Sequence, residues 1–465
     1  INAVFLEAYW NDGSPVTAHD MAFTIRVIRE FQVPGHVERW EHAGEIDVLD
    51  AHTIRFAPDR SRSGFFNRTL YGGFIQKAAW EERVSRFRET ADPLSALLGY
   101  RPETVASNGP FFLASRGDPI FLVLKANPHF FARGRTLEGV EVGPHLESLF
   151  LELFRDTASA VEGLLAGRVD FVWADLDHEW ISRLASNPHI GLRRTDRTGY
   201  DYLGFNLNRA PMDEGTFRRA VSLLIDREAL IRGPLQGDGR PEYAVVPSQN
   251  TAWSHSGIRD RFSGVPPRER LRRARAMLAG AGYTWEDGVL VLPEGKPVEP
   301  VGICTTSGWS RPCRVKVALY LRKLLASLGV PVEIRLQPME TLLADLRRNA
   351  FDAYLLGWAR LSEDPDYLRT FFHSDEARPG GKNYPRFRNP EFDALADRAS
   401  RETDPSRRRD LVLKMQERIA AQAPCIPLYT RERVEAVRLG EWTGWVDRPD
   451  GIGNIWSFVN LHPSQ

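Results

Sequence analysis

Apolar and polar positions along this chain fall into two periods, one of about four residues and one of two, and their alternation predicts an α/β protein. Phe23, Val27 and Phe31 recur every fourth residue behind Thr17-Ala-His-Asp20, a helix-opening sequence with Asp in the place of Glu, so an amphipathic helix is predicted over 18–31. Residues 46–56 read as two short strands bent at Asp50-Ala51, and 60–100 as mostly helical. Residues 107–113 and 120–125 read as paired strands around the turn Arg116-Gly-Asp-Pro119. Strand 148–153, helix 157–167 and strand 169–173 have the look of a βαβ unit, followed by a strand at 202–207 and one helix over 215–231. The Arg-rich stretch 268–282 reads as a helix with a solvated charged face, stopped at Gly280-Ala-Gly282. The clearest α/β alternation comes next: helix 313–328, strand 332–336, helix 340–349 and strand 353–356. Helices at 389–401 and 405–422 and a short strand at 426–429 follow.

The strand at 353–356 carries the most information. Ala353–Leu356 is an apolar run bounded by turn formers, as in a strand covered on both faces. It ends in Gly357-Trp358 and then in an acidic loop, Leu361-Ser-Glu-Asp-Pro-Asp366. Glycine lets backbone approach a ligand, indole offers a flat apolar face, and ligands of open α/β sheets bind beyond the carboxyl ends of strands. The site is expected here.

Composition narrows the function more than it defines it. At 465 residues the chain exceeds one core, and about 100–200 residues per domain gives two to four domains. Lys+Arg and Asp+Glu are both 61, so the chain lacks the positive surplus that a nucleic-acid binder needs. Nearly all the basic residues are Arg, which a GC-rich genome explains more simply than an anion-binding surface. No apolar run is long enough to span a bilayer. The chain opens INAVFLEAYW without Met or signal features, so either a signal has been removed or the start is missing. Cys304, Cys313 and Cys425 have no metal-site spacing; a Cys304–Cys313 bridge is open, with buried free thiols the favoured reading. No dinucleotide, P-loop, zinc-protease, serine-hydrolase or EF-hand motif is present, and no cofactor is implied.

Seven segments, in order, resemble the family 5 extracellular solute-binding proteins, receptors of peptide, nickel and sugar ABC importers. They are Trp10-Asn-Asp-Gly-Ser-Pro-Val-Thr-Ala-His-Asp20 ahead of Phe23; Asn108-Gly-Pro-Phe111 with Asn127-Pro-His-Phe-Phe131; Leu164-Leu-Ala-Gly-Arg-Val-Asp170; Tyr202-Leu-Gly-Phe-Asn206; Phe217-Arg-Arg-Ala220 with Ile225-Asp-Arg227; Gly357-Trp358 through Asp364-Pro-Asp366; and Asn389-Pro-Glu-Phe-Asp393. The resemblance implies a two-lobed periplasmic-binding-protein-like fold of the class II type with a small extra lobe. The expected division is 1–108 for the small lobe, 109–207 with 431–465 for lobe I, and 208–430 for lobe II. It implies a receptor outside the cytoplasmic membrane, free or lipid-anchored, that closes on a peptide-like solute or a sugar and passes it to an ABC permease. No catalysis, metal or nucleic acid is implied, and a monomer is expected. The alternative is the sensing domain of a cytoplasmic regulator, with a DNA-binding domain before Ile1; a hydrolase is the third class.

Two departures from the family stand out. Members usually carry several dozen residues ahead of the first segment, so the first strand of the main lobe is expected to be absent here. In peptide-binding members an Asp three residues after the Gly-Trp tryptophan pairs with the ligand's ammonium; in this chain that position is Leu361. Either Glu363 replaces that Asp, on the same side of an extended loop, or the ligand has no amine there. The expected ligand contacts are Trp358 as a stacking platform, Gly357 through its backbone, and Asn206 through its amide at the crossover. Trp309, Tyr71 and Arg360 complete the set, Arg360 as a carboxylate partner.

Overall fold

The computed structural model describes residues 1–40, 43–58, 73–117, 121–137, 140–260, 262–306 and 312–464. They form two compact units, Ile1–Arg194 with Val434–Gln465, and Thr195–Arg433. In the first unit the helix Ala18–Phe31 forms over the predicted span and buries Phe23, Val27 and Phe31 together with Ile54 and Phe56. Its opening is fixed by Asp20, whose carboxylate accepts the Thr17 N–H at 2.9 Å and the Lys77 N–H at 2.7 Å. Strands Asn2–Val4 and Glu45–Val48 flank Thr53–Ala57 in a small sheet. Within the stretch read as helical, Lys77–Arg88 and Pro93–Gly99 are helices, and 59–72 lie outside the described residues.

The hairpin also forms, as Phe111–Gly117 paired antiparallel with Phe121–Ala126. The βαβ-like unit does not. Ser148–Glu152 joins the hairpin, whereas Phe171–Val172 pairs with Arg433–Arg438 in another sheet. That last strand went unread because its sequence, RVEAVR, is half charged; Glu435 is nevertheless buried, accepting the Ile452 N–H at 2.6 Å.

The second unit is built on six strands: β1 (Asp201–Phe205), β2 (Arg240–Pro241), β3 (Val301–Thr306), β4 (Val332–Gln337), β5 (Ala353–Gly357) and β6 (Cys425–Thr430), in spatial order β2-β6-β1-β5-β3-β4. β3, β4 and β5 are parallel, and β1 runs antiparallel to both β5 and β6. The carboxyl ends of four strands and the amino end of β1 therefore meet along one edge. The lobe change expected after residue 207 falls inside this unit, because β1 is central in its sheet.

Both faces of the sheet are covered, as the apolar run of β5 predicts. Ala353 and Leu355 enter one core with Leu203, Ile303 and the helices α1 (Gly215–Leu224) and α2 (Pro312–Ser327). Tyr354 and Leu356 enter a second core with Tyr202, Cys304 and α3 (Pro405–Gln422). Each fully buried Leu contributes about 1.5–3 kcal/mol of apolar burial, so the alternation fixes which residues point to which side. α3 starts where Asp404 accepts the Arg407 N–H and Pro405 takes the first helical position.

Two local readings change. The helix expected over 215–231 is two, because Ile225 is extended and Asp226 caps a new helix, Arg227–Arg232, by accepting the Ala229 N–H at 3.0 Å. In Pro267–Ala279 the charged face is not wholly solvated: Arg270 is buried, donating to Asp260 at 2.6 Å and to the Leu223 carbonyl at 3.0 Å. All three cysteines are free thiols, with Cys304 and Cys425 buried. Among the described residues no helix is long and apolar enough to cross a membrane.

Candidate functional site

At the edge where the parallel strands end, the register sets Asp201 opposite Gly357 on one side and Tyr429 on the other. Asp201 accepts a hydrogen bond from Nε of Arg314, which comes from the first turn of α2. The side chains of this pair are only 9% and 3% exposed. A Cβ on residue 357 would overlap Asp201 Oδ1 and lie 2.7 Å from Arg314 Nη2. Glycine at 357 is thus needed to seat a buried ion pair against the strand end. Burial by itself would lower the Arg314 pKa, but the Asp201 carboxylate outweighs it and the net shift is upward, so the guanidinium stays charged.

Tyr429 is fully buried and its hydroxyl has no hydrogen-bond partner among the described residues. Burial first, and the Asp201 charge next, hold that phenol well above its ordinary value, so it remains a protonated donor. Beside it Arg431 pairs with Asp238, Nε donating at 2.8 Å, and its Nη1 lies 3.6 Å from the Cys313 sulfur.

The opposite face of the same edge is aromatic. Trp358 stacks on Phe371 with centroids 4.1 Å apart and lies nearly parallel to Tyr202 at 6.3 Å. Its backbone N–H donates to the Tyr200 carbonyl at 3.0 Å. The cavity among Tyr202, Tyr354, Trp358 and Phe371 has about 10 Å³ of room, enough for one water molecule and not for a solute. One face of the indole is therefore occupied by the protein, and only its remaining half-buried surface is open to a platform role.

Asn206 is not part of this edge. It follows the carboxyl end of β1, which lies at the amino end of β5, and it is fully buried. Its amide donates to the Phe351 carbonyl at 2.8 Å and accepts the Asn208 N–H at 3.0 Å, so its polar groups hold the chain turn together. Leu361 is buried in the second core, where its side chain packs and its N–H donates to Thr198 Oγ1 at 3.3 Å. Glu363 does not share its side: it is exposed, and its carbonyl accepts from Asn250 at 2.8 Å. Asp364 of this loop is gripped by both Nη atoms of Arg408 at 2.7 and 2.8 Å. Arg360 is exposed. Tyr71 and Trp309 lie outside the described residues. Among the described residues no group of three or more His, Cys, Asp or Glu is placed to hold a metal ion.

Asp201, Arg314 and Tyr429 were not read from the sequence. The available signal was Asp201 itself, a charge heading a strand that is otherwise wholly apolar and buried.

The model of the bacterial extracellular solute-binding proteins, family 5 Middle, matches residues 7–379. The periplasmic oligopeptide-binding protein OppA of Salmonella typhimurium is 21% identical over 470 residues, spanning 97% of this chain and 79% of that protein. Among solved structures, the oligopeptide-binding protein AppA from Bacillus subtilis in complex with a nonapeptide superimposes with a TM-score of 0.78 at 20% identity, covering 100% of this chain and 87% of that one. NikZ from Campylobacter jejuni in complex with Ni(L-His) gives 0.78 at 18% identity, covering 99% and 87%. With the family model matching most of its length and its fold shared with these proteins, the chain belongs to the bacterial extracellular solute-binding proteins of family 5, receptors that capture a small solute outside the cytoplasmic membrane for an ABC importer.

Proposed function

We propose that the captured solute is a short peptide or an amino-acid derivative, held at the strand-end edge of the second unit and released chemically unchanged. The observation that carries this reading is the edge itself: buried charged and hydroxyl groups on one face and an aromatic rim at Trp358 on the other, beyond the carboxyl ends of parallel strands. The ligands of the relatives, oligopeptides and a histidine chelate of nickel, support the same class. In this proposal the protein acts as a monomer, residues 1–108 form a small extra lobe, and neither nucleic acid nor catalysis is involved. The balance of 61 basic and 61 acidic residues supports the exclusion of nucleic acid.

A thermal-shift screen against alanine peptides of increasing length, oligosaccharides and nickel chelates tests it. A rise in melting temperature with peptides alone is the expected result. A rise confined to oligosaccharides replaces the proposed class.

A further inference from the structure

We propose that a cavity in the first unit, walled by Trp80, Tyr100 and Phe112 and bordered by Arg83, binds a small aromatic carboxylate. Its lining comes from residues 11–112 alone, so the proposal does not rest on the solute reading above.

The cavity follows from how helix Lys77–Arg88 is used. Val84 is the buried residue of this helix and joins the core built around helix Ala18–Phe31. Trp80, Arg83 and Phe87, spaced at i, i+3 and i+7, form one stripe along the helix. Trp80 and Phe87 each meet Tyr100, which follows helix Pro93–Gly99, with ring centroids 5.6 Å apart, and Arg83 lies over the same ring at 5.7 Å. Phe112 adds a further wall from Phe111–Gly117, an edge strand of its sheet. The room left between these elements is about 350 Å³, against about 10 Å³ beside Trp358. Small-molecule sites are clefts of roughly 300–1,000 Å³ with mostly apolar and aromatic walls. This cavity admits a ring compound; the gap beside Trp358 admits a water.

Charge selects the class of compound. The other basic residues of the helix are paired, Lys77 with Glu81 at 3.5 Å, Arg88 with Glu30 at 2.6 Å, and Arg86 with Glu82. Arg83 has no carboxylate partner among the described residues; one Nη donates to the Ala79 carbonyl, and the rest of the guanidinium bonds nothing else there. A guanidinium stacked on a ring keeps its planar fork available to a carboxylate. The acid in the lining does not call for a cation, because Asp12 already accepts the Ser14 N–H at 2.9 Å, the Ser14 hydroxyl at 2.6 Å and the Gln76 amide at 2.9 Å. An organic cation would also face Arg83 as a like charge. Phe112 makes no ring contact among the described residues, which leaves it to stack on an entering ring. Rings on the walls and a guanidinium at the border together fit a flat anion.

Isothermal titration of naphthoate, naphthamide and naphthylmethylamine into the wild type, Arg83→Gln and Ala79→Phe tests the proposal. Arg83 is exposed and Ala79 is half-buried against the cavity, so both variants keep the fold, which their melting temperatures check. Naphthoate is expected to bind the wild type, and Arg83→Gln to weaken it by roughly ten-fold or more while leaving the neutral amide unaffected. Ala79→Phe fills the cavity and is expected to abolish binding of both. No binding of naphthoate to the wild type, unaltered affinity in either variant, or tighter binding of the amine than of the acid overturns the proposal.

Discussion

Strand β5 begins beside one Asp–Arg pair and ends beside another. At its amino end Asp352 accepts from Arg209 at 2.7 Å and from the Gly302 N–H at 2.9 Å, and Asn206 bridges the backbone next to it. At its carboxyl end Asp201 pairs with Arg314, but the buried hydroxyl of Tyr429 beside them finds no partner among the described residues. The first pair is half in water, with Arg209 52% exposed; the second is buried. A satisfied polar cluster closes a sheet end. A buried cluster left short of an acceptor is a cost to the fold, and such costs persist where a ligand meets them.

The sharpest way to break the contrast is Gly357→Ala. The new methyl meets both members of the buried pair, and separating such a pair leaves uncompensated charge, so unfolding free energy is expected to fall by about 3–5 kcal/mol. Urea denaturation measures this, and solute affinity should fall with it. A loss below about 1 kcal/mol shows that the edge can rearrange and that the pair is not fixed by the glycine. The matching change at the other end is Asn206→Ala, which deletes the buried amide's bonds at a cost of about 3 kcal/mol. There, however, the folded fraction should bind solute as the wild type does. A change in affinity beyond its effect on folding would return Asn206 to the site.

How far the sequence carried the fold depends on whether the deciding contact was local. The burial of β5 on both faces, the helix over 18–31 and the Gly357 strand end were legible because period and turn chemistry lie within a few residues. The false βαβ unit was not, because Phe171–Val172 takes its partner from more than 260 residues further on, a pairing no local pattern encodes. The same distance hid the site. Asp201 and Arg314 are 113 residues apart in the chain, and nothing in either neighbourhood announces the other. Leu361 and Glu363 were placed by counting along an assumed extended loop, whereas Leu361 packs into the second core and Glu363 faces water.

A third buried acid sharpens the comparison from outside the edge. Glu242 is held by Ser248 rather than by an arginine, and burial pushes its pKa up to about 7, against the opposing pull of those Ser248 bonds. A raised folded-state pKa contributes stability that is fully present below the unfolded value, near pH 4.5, and that is lost as pH rises through about 7. The wild type is therefore expected to lose about 2 kcal/mol between pH 5 and 8 through this residue, and Glu242→Gln to flatten that slope in denaturation curves. An unchanged slope would mean that water reaches the carboxylate and that burial at this sheet edge is weaker than at Asp201.

Two smaller effects separate the aromatic rim from the acidic loop. Trp358→Ala removes a stacked, half-buried ring, with an expected cost of about 1–2 kcal/mol in stability and a clear loss of affinity for the solute. Unchanged affinity would confine the site to the polar face. Glu363→Ala is the smallest change expected, because the side chain is exposed and makes no hydrogen bond among the described residues. Its effect on stability should stay within about 0.5 kcal/mol, and solute titration should give the wild-type affinity. A loss there would mean that the loop turns its acid inward when solute is present, and that the carboxyl end of β5 recognises an amine.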